Sequence, residues 1–100
     1  MGTYVMLTRL TDEGRKTLQK NPERILEVNK EVEKIGIKVI HQFVSLGEFD
    51  FVNIIEAKSM DDVMRVAVEL GARGTLETHT MPVMTTEAFV KVLKKEKAHA

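Results

Sequence analysis

The stretch Ile37–Ala57, IKVIHQFVSLGEFDFVNIIEA, decides the fold. Two runs rich in β-branched and aromatic residues, IKVIHQFVSL and FDFVNIIEA, flank Gly47-Glu48, a pair suited to a two-residue hairpin turn with glycine at positive φ. The pairing is open in register. A two-residue turn sets Leu46 opposite Phe49 and Gln42 opposite Asn53, whereas a three-residue turn puts His41 and Phe43 on the face of Phe51 and Asn53. In both registers Asn53 shares its side with Phe51 and Ile55, and a buried amide there needs hydrogen-bond partners, with Thr8 of the first strand a candidate.

Upstream, TYVMLTR (3–9) reads as a strand, and Thr11 stands where a helix N-cap belongs, followed by Asp12 and Glu13 at the positive helix end. Pro22 breaks this helix, and Asn21 as N-cap with Pro22 as first helical residue restarts it; Ile25, Val28, Val32 and Ile35 recur at helical spacing before Gly36. Downstream, Ser59 caps a helix carrying Val63, Val66, Ala67 and Leu70, which stops before Gly71. TLETHTMPV is a fourth strand, and Thr85 or Thr86 caps a last helix over residues 87–97. The order β-α-β-β-α-β-α, with two right-handed crossovers joined by a hairpin, predicts an α+β, ferredoxin-like sheet of order 4-1-3-2 plus a C-terminal helix, in a single domain over residues 1–100.

Both faces of the central strands are apolar. The expected assignment turns Val5, Leu7, Val52 and Ile54 to the helices and Tyr4, Met6, Phe51 and Ile55 to the bare face. A bare apolar sheet face calls for cover, and a second copy packed sheet on sheet supplies it; the C-terminal helix folded back over the face is the alternative. The expected partner is therefore the chain itself, as a homodimer or higher homo-oligomer. Asp50 shares the parity of Val52 and Ile54, which predicts a mainly structural carboxylate taking hydrogen bonds from N–H groups around Thr11–Gly14. Gly47, Glu48 and Phe49 complete the turn, with Glu48 in solvent.

The composition narrows the function classes. Fifteen basic and fifteen acidic residues cancel, so no domain-wide field attracts nucleic acid or an anionic membrane. There is no cysteine for a disulfide, a thiolate nucleophile or a zinc site. No run is apolar enough to span a membrane, and MGTYVMLTRL lacks the blocks of a signal peptide, which predicts a soluble, cytoplasmic protein. His41 and His79 fall on the two edge strands, about 14 Å apart at ~4.8 Å per strand, too far to share one zinc within a subunit. No metal and no cofactor are expected. No nucleophile elbow or phosphate loop occurs; a proton-transfer site from His41, Asn53, Glu77 and His79 is the one catalytic assembly the residues permit. The lysines of KVLKKEKAHA read as a solvated helix end, and Met6, Met60, Met64, Met81 and Met84 as core and interface filler.

Taken together, the strand-one start, the split helix with NPER, the GEFD hairpin and the threonine-rich fourth strand resemble the GYD domain family, small stand-alone proteins of the dimeric α/β-barrel type without an established function, over residues 3–95. The family's name motif stands here as Gly47-Glu48-Phe49-Asp50, with phenylalanine in place of the usual tyrosine, so a role for a tyrosine hydroxyl does not carry over. FVSLGEFDFVNIIEAKSMDDV and GTLETHTMPV are also similar to the ligand-binding domain of leucine-responsive regulators, which binds amino acids between subunits. That second likeness implies a small-molecule-binding or sensing module with its pocket under the open face or at a subunit junction, and Tyr4, His41, Phe43, Phe51, Asn53 and His79 are the candidate ligand-binding residues. A cofactor-independent enzyme of the same barrel class and a purely structural assembly unit are the alternatives.

Overall fold

Residues 1–99 are described by the computed structural model, with side-chain surroundings given through residue 95. The elements are β1 (Gly2–Leu10), α1 (Asp12–Lys20), α2 (Arg24–Ile35), β2 (Ile37–Val44), β3 (Phe51–Ala57), α3 (Met60–Ala72), β4 (Leu76–Val83) and α4 (Thr86–His99). The four strands form one antiparallel sheet ordered β2-β3-β1-β4, the expected 4-1-3-2 read from its other edge. This is the ferredoxin-like arrangement, with α4 added.

Local chemistry sets the boundaries. Thr11 Oγ1 accepts the Gly14 N–H at 3.2 Å and opens α1, a cap worth about 1 kcal/mol. Asn21 closes α1 by donating to the Thr17 carbonyl, and the Arg24 N–H returns to the Asn21 carbonyl at 3.1 Å. The restart therefore falls at Arg24 rather than Pro22, because the fixed φ of proline suits the second position of a turn as well as a first helical position. α3 runs through Gly71 to Ala72, and Thr85 Oγ1 accepts the Ala88 N–H at the start of α4.

The helices α2 and α3 cover one face of the sheet, and the core between them holds Tyr4, Met6, Ile37, Ile55 and Ala57 from the strands against Val32, Val63, Val66 and Leu70. Val66 and Ile55 are sealed from solvent, each contributing roughly 1.5–3 kcal/mol of apolar burial. This reverses the expected parity. Tyr4, Met6, Phe51 and Ile55 point at the helices, and Val5, Leu7, Val52 and Ile54 line the bare face. With both parities apolar, hydrophobicity gives no vote, and the helix side takes the set that holds both aromatic rings, Tyr4 and Phe51.

β2 contains an irregularity. Its pairing with β3 shifts between Val39 and His41, so Ile40 is an extra residue. Ile37 and Val39 pair with Ala57 and Ile55 on the helix side, whereas His41 and Phe43 pair with Ile54 and Val52 on the open side. Beyond the bulge the register is that of the two-residue-turn alternative, Gln42 opposite Asn53, although the strands stop at Val44 and Phe51 and leave a longer connection between them. α4 does not fold back over the open face. The molecule measures 58 × 29 × 19 Å, and Phe89, Val90, Val92 and Leu93 of α4 remain exposed.

Candidate functional site

Cross-strand partners point the same way, so the register lays out the open face as two rows. One reads Phe43, Val52, Leu7, His79 from β2 to β4; the next reads His41, Ile54, Val5, Met81. The centre is aliphatic and only half-buried by its neighbours, and the corners are open, Phe43 at 59% and Met81 at 44% exposure. The two imidazoles occupy diagonal corners on opposite edge strands. No group of three His, Asp or Glu side chains able to hold a metal occurs among the described residues.

The hairpin closes one end of this face. Gly47 adopts φ 112°, a conformation that favours glycine. Arg9, from β1, donates through Nε to the Glu48 carbonyl at 2.9 Å and through Nη2 to Glu48 Oε1 at 3.0 Å, and its guanidinium lies 5.4 Å from the Phe49 ring centre. Phe49 in turn meets His79 edge-on, the centroids 5.3 Å apart. Glu48 is thus paired rather than free in solvent, though an ion pair this exposed contributes under about 1 kcal/mol. Asp50 lies deeper. Its Oδ2 accepts the Leu10 N–H at 2.7 Å, its own N–H donates to the Thr8 carbonyl at 2.8 Å, and its carbonyl accepts from Ser45 at 2.7 Å. The carboxylate secures the end of β1, one residue short of the expected stretch Thr11–Gly14, where the Thr11 N–H is taken instead by Thr75.

The candidate ligand residues divide between the two sides of the sheet. His41, Phe43 and His79 share the open face, while Tyr4, Phe51 and Asn53 sit on the helix side at 7%, 5% and 6% exposure. Asn53 anchors a chain of amides there. Its Nδ2 donates to the Met6 carbonyl and to Thr8 Oγ1, its Oδ1 accepts from Gln42, and Gln42 exchanges two hydrogen bonds with Asn29. Both amide protons of Asn53 and both of Gln42 have partners, and Asn29 spends one of its two on Gln42, which makes this a device for joining α2 to the sheet.

Two features of the surface escaped the sequence reading. Arg9 had no signal of its own, since only the folded hairpin brings it to Glu48. Met60, Met64 and Val68, in contrast, recur every four residues along the outer side of α3 and are all exposed, away from the Val63, Val66 and Leu70 side. Of the five methionines expected as core or interface filler, only Met6 is buried; Met60, Met64, Met81 and Met84 are on the surface. On the helix side, Glu31 bridges Arg24 at 2.9 Å and Arg73 at 2.5 Å. The hydrogen bond from Arg24 and then that from Arg73 hold its carboxyl below the ordinary value of 4.5, while Glu31 raises Arg73 in return.

No helix of the described residues is long and apolar enough to cross a membrane. The GYD domain matches residues 4–93. A protein of Thermus thermophilus named glutamine synthetase and cystathionine beta-lyase binding protein is 42% identical over 95 residues, spanning 94% of this chain and 100% of that protein. No solved structure matches.

Proposed function

We propose that this chain, which belongs to the GYD domain family, is a protein-binding module that works as a homo-oligomer and docks onto metabolic enzymes. The observation that carries the reading is the open sheet face. Four strands at ~4.8 Å and about seven residues at ~3.4 Å give a footprint of roughly 19 by 24 Å, or about 450 Å² in projection. That is at the upper end of what a monomer leaves bare, and it falls short of the ~800 Å² per partner of a standard interface. The open face alone therefore does not complete a stable dimer. α4, with Phe89, Val90, Val92 and Leu93 uncovered, is the element available to supply the remainder.

With the open faces joined, the Met60, Met64 and Val68 stripe stays on the outside of the assembly, where methionines adapt to a partner surface. The relative's name supports enzymes as that partner, and glutamine synthetase and cystathionine beta-lyase are the first to try. Calorimetric titration of the two enzymes from the organism encoding this chain tests it: saturable binding that is lost in Met64→Glu is expected, and no heat with either enzyme up to about 100 μM, weaker than a useful contact, overturns the enzyme assignment. A second reading, a small-molecule pocket where two open faces meet, is favoured by His41 and His79, two polar groups in otherwise apolar rows. A ligand retained in native mass spectra of the oligomer supports it.

A further inference from the structure

The helix layer is not filled throughout. Between α1, α2, the end of α3 and the start of β4 lies a cavity of about 170 Å³ walled by Leu10, Leu18, Ile25, Val28, Leu70 and Leu76, with Arg24 and Arg73 also lining it. It shares Ile25, Val28, Leu70 and Leu76 with a smaller space of about 40 Å³ that reaches the Asn29–Gln42–Asn53 chain. The site lies across the sheet from the open face on which the chains are proposed to join, and its lining includes none of Met60, Met64 and Val68.

Size and charge define the guest. An apolar cavity of ~150 Å³ takes up benzene, so this one accommodates a body of about six to eight heavy atoms. The walls are mainly aliphatic, with Thr17 and Thr75 beside them, and of the inner amides Asn29 alone keeps a donor beyond the bonds within the chain. The strongest donors lining the cavity itself are the guanidiniums, each with five N–H groups of which the carboxylates engage only some. Those guanidiniums are already balanced. Glu31 bridges both, Glu27 lies 3.7 Å from Arg24, and Glu69 lies 3.3 Å from Arg73. Two cations among three carboxylates offer no net attraction to an anion, and an incoming carboxylate would face all three.

We infer that this cavity is a binding site for a small, uncharged aliphatic molecule carrying one hydrogen-bond acceptor, its chain among Leu18, Ile25, Val28 and Leu76 and its acceptor on Arg24 or Arg73. The class is a branched amide, ketone or alcohol, not a fatty acid. Gly14 is fixed in the same wall: a Cβ there would come within 1.9 Å of the Thr75 carbonyl, so the cavity cannot be trimmed from α1 at that point.

The test is a titration of the full chain, methyl-labelled for NMR, with 4-methylpentanamide and, separately, with 4-methylpentanoate. The expected result is saturable shifts confined to methyls of Leu18, Ile25, Val28 and Leu76, with a Kd of about 1 mM for the amide and at least tenfold weaker binding of the carboxylate. Val28→Phe and Leu18→Phe, which fill the cavity from α2 and α1, should each weaken the amide at least tenfold without lowering the Tm. Three results would overturn the proposal: no saturable shift at amide concentrations that fill a 1 mM site, shifts centred on Val5 and Ile54 instead, or equal or tighter binding of the carboxylate. The map in the unsubstituted protein decides the location even where a filled variant fails to fold.

Discussion

Replacing Asp50 by alanine removes the carboxylate that accepts the Leu10 N–H, and the consequence can be worked from the distances. The bond is 2.7 Å long, is made to a carboxylate and is partly shielded from water. Hydrogen bonds to charged groups contribute about 1.5–3 kcal/mol, and partial access of water to Leu10 places the loss near the middle, at about 2 kcal/mol. For a domain of this size that is a fall in Tm of about 8–16 °C. Asp50→Asn keeps an oxygen in the same place and gives up only the charge, so its loss should be about 1 kcal/mol or less. Thermal and urea unfolding at one fixed protein concentration measure both, the concentration being held because association shifts the midpoint. The reasoning fails if Asp50→Ala unfolds within about 2 °C of the unsubstituted protein, or if alanine and asparagine are equally costly.

Charges on the two sides of the sheet should have opposite consequences. Phe51→Asp places an unpaired carboxylate in the helix-side core and should abolish folding, read by loss of near-UV dichroism. Leu7→Asp, in the centre of the open face, should leave a folded monomer by light scattering; an unchanged oligomer would remove that face from the interface. Gly14→Ala forces the Thr75 carbonyl aside, and with it the Thr11 hydrogen bond, for a loss of about 3 kcal/mol by chemical denaturation. The Glu31 bridge has a defined pH signature. Because its folded value lies below 4.5, the stability it adds is present above that value and is lost as pH falls through the depressed one, so the difference between Glu31→Gln and the unsubstituted protein should close in strongly acidic buffer. Arg73, raised further by its hydrogen bond to Glu31, adds no dependence at working pH.

The path of the chain was legible because its punctuation is chemically unambiguous: Thr11, Gly36, the Gly47 turn and Thr85 each do in the structure what their side chains, or lack of one, predict. The face that each strand presents was not legible. Val5 and Met6 are both apolar, and so are Val52 and Phe51, so the alternation that normally marks the buried side is erased in the two central strands. β2 compounded this, since neither turn alternative contains an extra residue at Ile40. The aromatic and imidazole groups of the site were recognised as candidates by type, but Tyr4, Phe51 and Asn53 could not be separated from His41, Phe43 and His79 without that residue and the parity of β1. The helix-layer cavity left no trace in the sequence at all, because its walls come from α1, α2, α3, β1 and β4, and its volume is set by how those elements stand off from one another.

Ile40 gives β2 two addresses. Its first half belongs to the helix-side core, and its second half belongs to the open face. Deleting one residue there would rotate His41 and Phe43 inward and force an imidazole among aliphatic side chains, whereas exchanging either residue for another leaves the interior untouched. The open-face end of this strand can therefore drift by substitution at little risk to the scaffold, while the length of the strand is locked, and relatives should differ in the letters after position 40 and agree in their number.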